Sequence, residues 1–177
     1  MNCKLEFLYH LSHDKINYVN PHKHNCFELV YYMSGSGYSI IDGQSYRYSP
    51  NSFVIIEPGF MHYERHLEKT EVIFIGFTCD STEYYLNSDI FYDNVTSRIL
   101  ILLEEMKNEL ALKQTKYNLK LNILICEILI EIFRMKDNNV DTSHEFTYIK
   151  KFLNENFHQN IAVSDLARLS GYSYHHF

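Results

Sequence analysis

Runs of β-branched and aromatic residues, broken at short intervals by turn formers, fill the chain through about residue 80, and this constrains the fold most. Lys4 to Tyr9, Phe27 to Met33, Tyr38 to Ile41, Tyr46 to Tyr48, Ser52 to Ile56 and Glu71 to Phe77 read as strands. Between them stand Ser34-Gly35-Ser36-Gly37, Asp42-Gly43, Ser49-Pro50-Asn51 and Glu57-Pro58-Gly59. Many short strands so spaced predict a barrel or sandwich. Asp42-Gly43 predicts a tight hairpin, because glycine supplies the positive φ that a primed turn needs. With 15 Tyr, 12 Phe and no Trp, the composition suits strands and aromatic-lined pockets.

From about residue 93 the period becomes helical. Val95, Ile99, Leu102, Met106 and Leu110 recur at three- and four-residue steps, and Glu104, Glu105, Glu109, Lys113 and Lys116 form a solvated face. Tyr117 to Met135 carries two apolar stripes, one through Leu121, Ile125, Ile128, Ile132 and Met135, the other through Leu119, Ile123, Cys126, Ile130 and Phe133. An offset of two residues turns roughly 200° around a helix, so the stripes lie on opposite faces. Such a helix needs two burial partners. One face is expected against the barrel or the preceding helix, the other against a second subunit or further domain; complete burial in one monomer is the alternative. Residues 137–143 read as a linker. Helical segments follow at about His144 to Phe157 and Ser164 to Leu169, with another start at Ser173.

Charge and cysteine usage exclude several classes. The 177 residues hold 16 basic against 22 acidic side chains, a net charge of -6, which gives no global positive field toward phosphate backbones. Any contact with nucleic acid must be local. Cys3, Cys26, Cys79 and Cys126 form no C-x-x-C pair, which argues against zinc-knuckle and thioredoxin chemistry. Met1 to Lys15 lacks a secretion signal, and the apolar run Ile99 to Leu103 is too short to cross a bilayer. A cytoplasmic protein with reduced thiols and no membrane contact is expected. No phosphate-binding glycine loop or nucleophile elbow is present.

Two constellations carry chemistry. In His22-x-His24-x-x-x-Glu28 the three side chains share parity, so on one strand all would point to the same face. Pro58-Gly59-Phe60-Met61-His62 delivers a further imidazole after a tight turn. Such donors can ligate Fe, Mn, Ni or Zn as divalent ions. If Glu28 faces inward, Val30 and Tyr32 share its face. His10, His13 and His66 are read as exposed or supporting residues. At the far end, Ile161 to Ser173 reads as a helix-turn-helix, with Ser164 capping the first helix, Ala167 allowing a close crossing and Gly171 relieving the turn.

The first constellation resembles the two cupin motifs through His22, His24, Glu28, Gly35, Gly59 and His62, with Glu57 standing where the second motif has proline. The stretch from Pro21 to His62 is similar to the N-terminal sensor domain of AraC-type transcription regulators, and residues 161–173 resemble the start of the first helix-turn-helix of that family. The resemblance implies an α+β fold: a cupin-like β-barrel (a double-stranded β-helix) at 1–85, two antiparallel dimerising helices at 90–137, and an incomplete helix-turn-helix at 144–177. It implies a ligand-responsive regulator rather than an enzyme, sensing a small-molecule effector through His22, His24, Glu28, Tyr32 and His62. No cofactor is required, although a divalent transition metal could sit on His22, His24, Glu28 and His62. A homodimer through helices 95–136 is expected, with DNA contact near Ser173, Tyr174 and His175 belonging to a longer protein. The alternative is a metal-dependent cupin enzyme of dioxygenase or isomerase type.

Overall fold

The computed structural model describes residues 2–14, 16–80, 86–136, 147–156, 158, 161–170 and 173–175. The chain forms two compact units, Met1–Met135 and Lys136–Phe177.

The first unit is an antiparallel β-sandwich with two helices. Its strands are β1 (Cys3–His13), β2 (Asn17–His22), β3 (Phe27–Ser34), β4 (Gly37–Ile41), β5 (Gln44–Tyr48), β6 (Ser52–Ile56), β7 (His62–His66), β8 (Thr70–Cys79) and β9 (Asp89–Tyr92). One sheet runs β1-β8-β3-β6-β9 and the other β2-β7-β4-β5. Asp42 and Gly43 join β4 to β5 with φ of 47° and 83°, the paired positive values of a type I′ turn. The sandwich extends past the expected boundary at 85, because β9 pairs with β6 from Asp89 onward.

The larger sheet is buried on both faces. Val30, Tyr32, Val54, Ile56 and Val72 turn inward and meet Ile41 and Tyr48 of the smaller sheet. Leu29, Tyr31, Phe53, Ile55, Ile73, Ile75 and Phe77 turn outward and pack on α1 (Arg98–Leu112) and α2 (Tyr117–Lys136). Arg98 bonds Glu127, and Lys120 meets Glu105 at 2.7 Å, so the two helices run antiparallel. Val95 lies outside α1 and is exposed. Ser97 gives α1 no side-chain cap. Instead the Asp93 carboxylate accepts from Ile99 N at 3.3 Å and Leu100 N at 3.1 Å, satisfying amide groups the first turn leaves open.

The two stripes of α2 part company. Leu121, Ile125, Ile128 and Ile132 are buried, while Leu119, Ile123 and Ile130 are 55%, 53% and 43% exposed.

The second unit contains α3 (Thr147–Glu155) and α4 (Val163–Ser170). Leu166 and Ala167 of α4 are buried. Ser164 lies inside α4 rather than capping it, since the carbonyl of Ala162 accepts the first amides, from Asp165 and Leu166. Tyr174 and His175 stand exposed in a turn, so the helix expected to start at Ser173 is not formed over those residues. The linker at 137–143, His144 and the Gly171 turn lie outside the described residues.

Candidate functional site

His22, His24, Glu28 and His62 do converge, though not along one strand. His22 ends β2 in the smaller sheet, His24 lies in the connection, and Glu28 lies in β3 of the larger sheet. The chain crosses between sheets at Lys23 to Cys26, so strand parity does not apply across it. Pro21 sits where the β2–β7 register slips, an edge position that tolerates the missing amide donor.

A tight turn fixes the rest. Phe60 N donates to Glu57 O at 3.2 Å around Pro58-Gly59, and Gly59 has φ 83°, the arrangement of a type II turn. Gly59 N then donates to His24 O at 2.7 Å, pinning the His24 backbone. Glu57 anchors the loop from the other side, its carboxylate accepting from Ser88 N at 2.9 Å. The residue that departs from the cupin motif thus ties the turn to the approach to β9.

The donor atoms of the four residues lie within 4.8 Å of one another. His22 Nδ1 is 2.8 Å from Asn20 O, and His62 Nδ1 is 3.0 Å from Phe60 O. Each ring therefore donates from Nδ1 and leaves its Nε2 lone pair free, as metal-ligating histidines are commonly held. His62 Nε2 stands 2.9 Å from Glu28 Oε2. Both atoms are buried, and beyond these close approaches neither meets a further hydrogen-bonding partner. Two lone pairs facing each other at that distance require a proton or a cation between them. Burial pushes the His62 pKa down, but Glu28 and the Phe60 carbonyl outweigh it and the net shift is upward. His24, 3.6 Å from Glu28, moves down, chiefly by burial and further by His62 and His22, against the pull of Glu28. The donor set and its orphaned atoms fit a divalent transition metal.

Beside this cluster lies a cavity of about 160 Å³. That is about the size of an apolar cavity that accepts benzene. Leu11, Val19, Val30, Val72 and Phe74 line one part, and His13, His22, Glu28, His62 and Glu64 the rest. Tyr32 reaches the site only through Glu64, to which its hydroxyl donates. Its ring is fully buried and stacked on Tyr48 at 3.7 Å. Burial raises the Glu64 carboxyl to about 7, opposed by the Tyr32 hydrogen bond. His66 is pushed down to about 4, first by burial and then by His13. At 3.6 Å His66 therefore faces Glu64 as a neutral imidazole, not as the cation of an ion pair. Glu64 and His13, which line the cavity, and His66, which touches both, are polar residues that sequence reasoning left out of the site. The signal was available for two of them: His62, Glu64 and His66 alternate along β7 and all turn inward.

A family model described as the AraC-like ligand binding domain matches residues 5–135. The chain belongs to that family. The match spans the sandwich and both helices of the first unit. No curated protein matches the chain. Similar solved structures include a conserved protein of unknown function from Streptococcus pyogenes (17% identity, 46% of this chain, 68% of that one, TM-score 0.40). An RmlC-like cupin from Shewanella frigidimarina is similar at 15% identity over 44% of this chain and 69% of that one, TM-score 0.40. A predicted oxalate decarboxylase from Thermotoga maritima is similar at 18% identity over 43% and 69%, TM-score 0.40. The AraC-like ligand binding domain is here an antiparallel β-sandwich carrying helices on one face. Among its described residues no helix is long and apolar enough to cross a membrane.

Proposed function

We propose that this chain is the effector-sensing and dimerising part of a cytoplasmic AraC-type transcription regulator. The observation that carries the reading is the cavity beside His22, Glu28 and His62, walled on one side by the larger sheet, whose opposite face packs on the helices. A small molecule of roughly benzene size enters, its apolar body against Val30, Val72 and Phe74 and its polar groups toward His22, Glu28, His62 and Glu64. By binding one arrangement of sheet and helices better than another, it shifts their populations.

A path for that shift runs through β3. Glu28 and Val30 face the cavity, while Tyr31 faces outward and donates to Asp93 at 3.1 Å, the same carboxylate that caps α1. The exposed stripe Leu119, Ile123 and Ile130 is the surface on which a second copy packs. Residues 144–177 correspond to the beginning of a helix-turn-helix domain, and Ser173, Tyr174 and His175 are the residues that would meet DNA in the whole regulator.

His22, His24, Glu28 and His62 are also the donors that would hold a divalent metal, which would supply Lewis-acid chemistry. The same donors support a second reading, a metal-dependent cupin enzyme of dioxygenase or isomerase type. Metal analysis of freshly purified protein separates the two. The sensor reading predicts no stoichiometric metal, together with saturable stabilisation by a small metabolite. A stoichiometric transition metal that is lost in His24→Ala would favour the enzyme.

A further inference from the structure

None of the four cysteines lines the cavity, yet three of them gather. Cys3 opens β1 and Cys79 closes β8, and the antiparallel register sets them directly opposite. The neighbouring pair, Asn2 and Asp80, is hydrogen-bonded, with Asp80 N donating to Asn2 O at 3.1 Å. Hydrogen-bonded and non-hydrogen-bonded pairs alternate along such a ladder, so Cys3 and Cys79 form the second kind, whose side chains stand closer. The Cα separation of that kind of pair, about 4.5 Å, falls inside the window of about 4.4–6.8 Å that a disulfide needs. Their Sγ atoms are 2.6 Å apart. Cys126 on α2 also acts on the Cys3 thiol.

We propose that Cys3 and Cys79 form a reversible disulfide that fastens the start of β1 to β8. Within its sheet β1 pairs only with β8, and its far end carries Leu11 and His13 to the cavity. A bridge therefore secures an edge strand that contributes to the cavity wall. The reaction is exchange with a low-molecular-weight disulfide such as oxidised glutathione. Cys79 is partly exposed whereas Cys3 is 1% exposed, so Cys79 is the thiol that attacks the glutathione disulfide first. Its thiolate displaces one glutathione thiolate and becomes a mixed disulfide. Cys3, losing its proton, then attacks Cys79 Sγ and releases the second glutathione. Two protein thiols are oxidised to one bond, one glutathione disulfide is reduced to two thiols, and the two protons pass to the released thiols. Burial pushes both protein thiols upward, so the exchange is slow at neutral pH and quickens as pH rises.

The test incubates the full chain with oxidised glutathione at pH 8, alkylates free thiols under denaturing conditions and maps peptides without reduction. Two of the four free cysteines should be protected, with the Cys3 peptide joined to the Cys79 peptide. The melting temperature should rise by about 5 °C or more and return on adding dithiothreitol, as expected for a bridge closing so long a loop. Cys126→Ser should keep the linkage and Cys79→Ser should lose it; the wild-type map decides even if a variant fails to fold. Four alkylatable thiols, a mixed disulfide that persists at Cys79, or a linkage through Cys126 or Cys26 would overturn the proposal. A Cys3–Cys79 bridge that leaves the melting temperature unchanged would overturn its fastening role.

Discussion

The ring of His66 is fully buried, stacked on His13 at 4.5 Å and bonded to the Tyr48 hydroxyl at 2.5 Å. Its pKa of about 4 in the folded chain, against 6.5 for a free imidazole, means that between those values the unfolded state holds a proton the folded state does not. Unfolding free energy thus falls as pH drops from 6.5 toward 4, by about 3 kcal/mol over the full shift. Glu64 works in the opposite sense, because a carboxyl raised to about 7 favours the folded state as pH falls toward 4.5. Comparing wild type with His66→Gln isolates the histidine. Between pH 7.5 and 4.5 the stability difference from urea unfolding should move toward the variant by up to about 3 kcal/mol. A difference independent of pH would contradict a neutral buried imidazole. Tyr32→Phe leaves the buried Glu64 carboxyl without its donor and should cost about 1–3 kcal/mol in the same measurement.

Among the elements, β3, β6 and β8 form the spine between cavity and helices. Phe53→Ala, which empties a fully buried outward position on β6, should cost about 3–5 kcal/mol in chemical denaturation, whereas a loss under 1 kcal/mol would mean the helices do not bear on that face. Tyr31→Phe should leave ligand affinity intact while weakening the effect of ligand on the helices. Limited proteolysis at α1 with and without ligand reads this, and unchanged protection would break the proposed β3 path. These three strands were legible in the sequence because burial on both faces makes them nearly continuous apolar runs, as in Phe53-Val54-Ile55-Ile56. Asn17–His22 and His62–His66 were not. Pro21 argues against a strand unless an edge and a register slip accommodate it. In His62-Tyr63-Glu64-Arg65-His66 the inward residues are polar, which inverts the usual alternation. The four candidate ligands could be named from spacing, but what gathers them is a crossing between sheets and the Pro58-Gly59 turn, which strand parity does not describe.

Over the whole molecule, the apolar stripe of α2 left open by the first unit is the surface proposed to set the association state. Ile123→Glu places a charge in its middle, and sedimentation velocity should show a dimer for the wild type and a monomer for the variant, with unchanged far-ultraviolet circular dichroism. A wild-type monomer at high concentration would remove the dimerising role. The account as a whole rests on the cavity taking a small molecule. The most direct measurement is a thermal-shift survey of wild type beside His62→Ala across sugars, aromatic acids and divalent metals. At least one compound should raise the wild-type melting temperature by several degrees in a saturable way, and His62→Ala should lose that response. Identical melting of the wild type in every compound, up to millimolar concentration, would contradict the account.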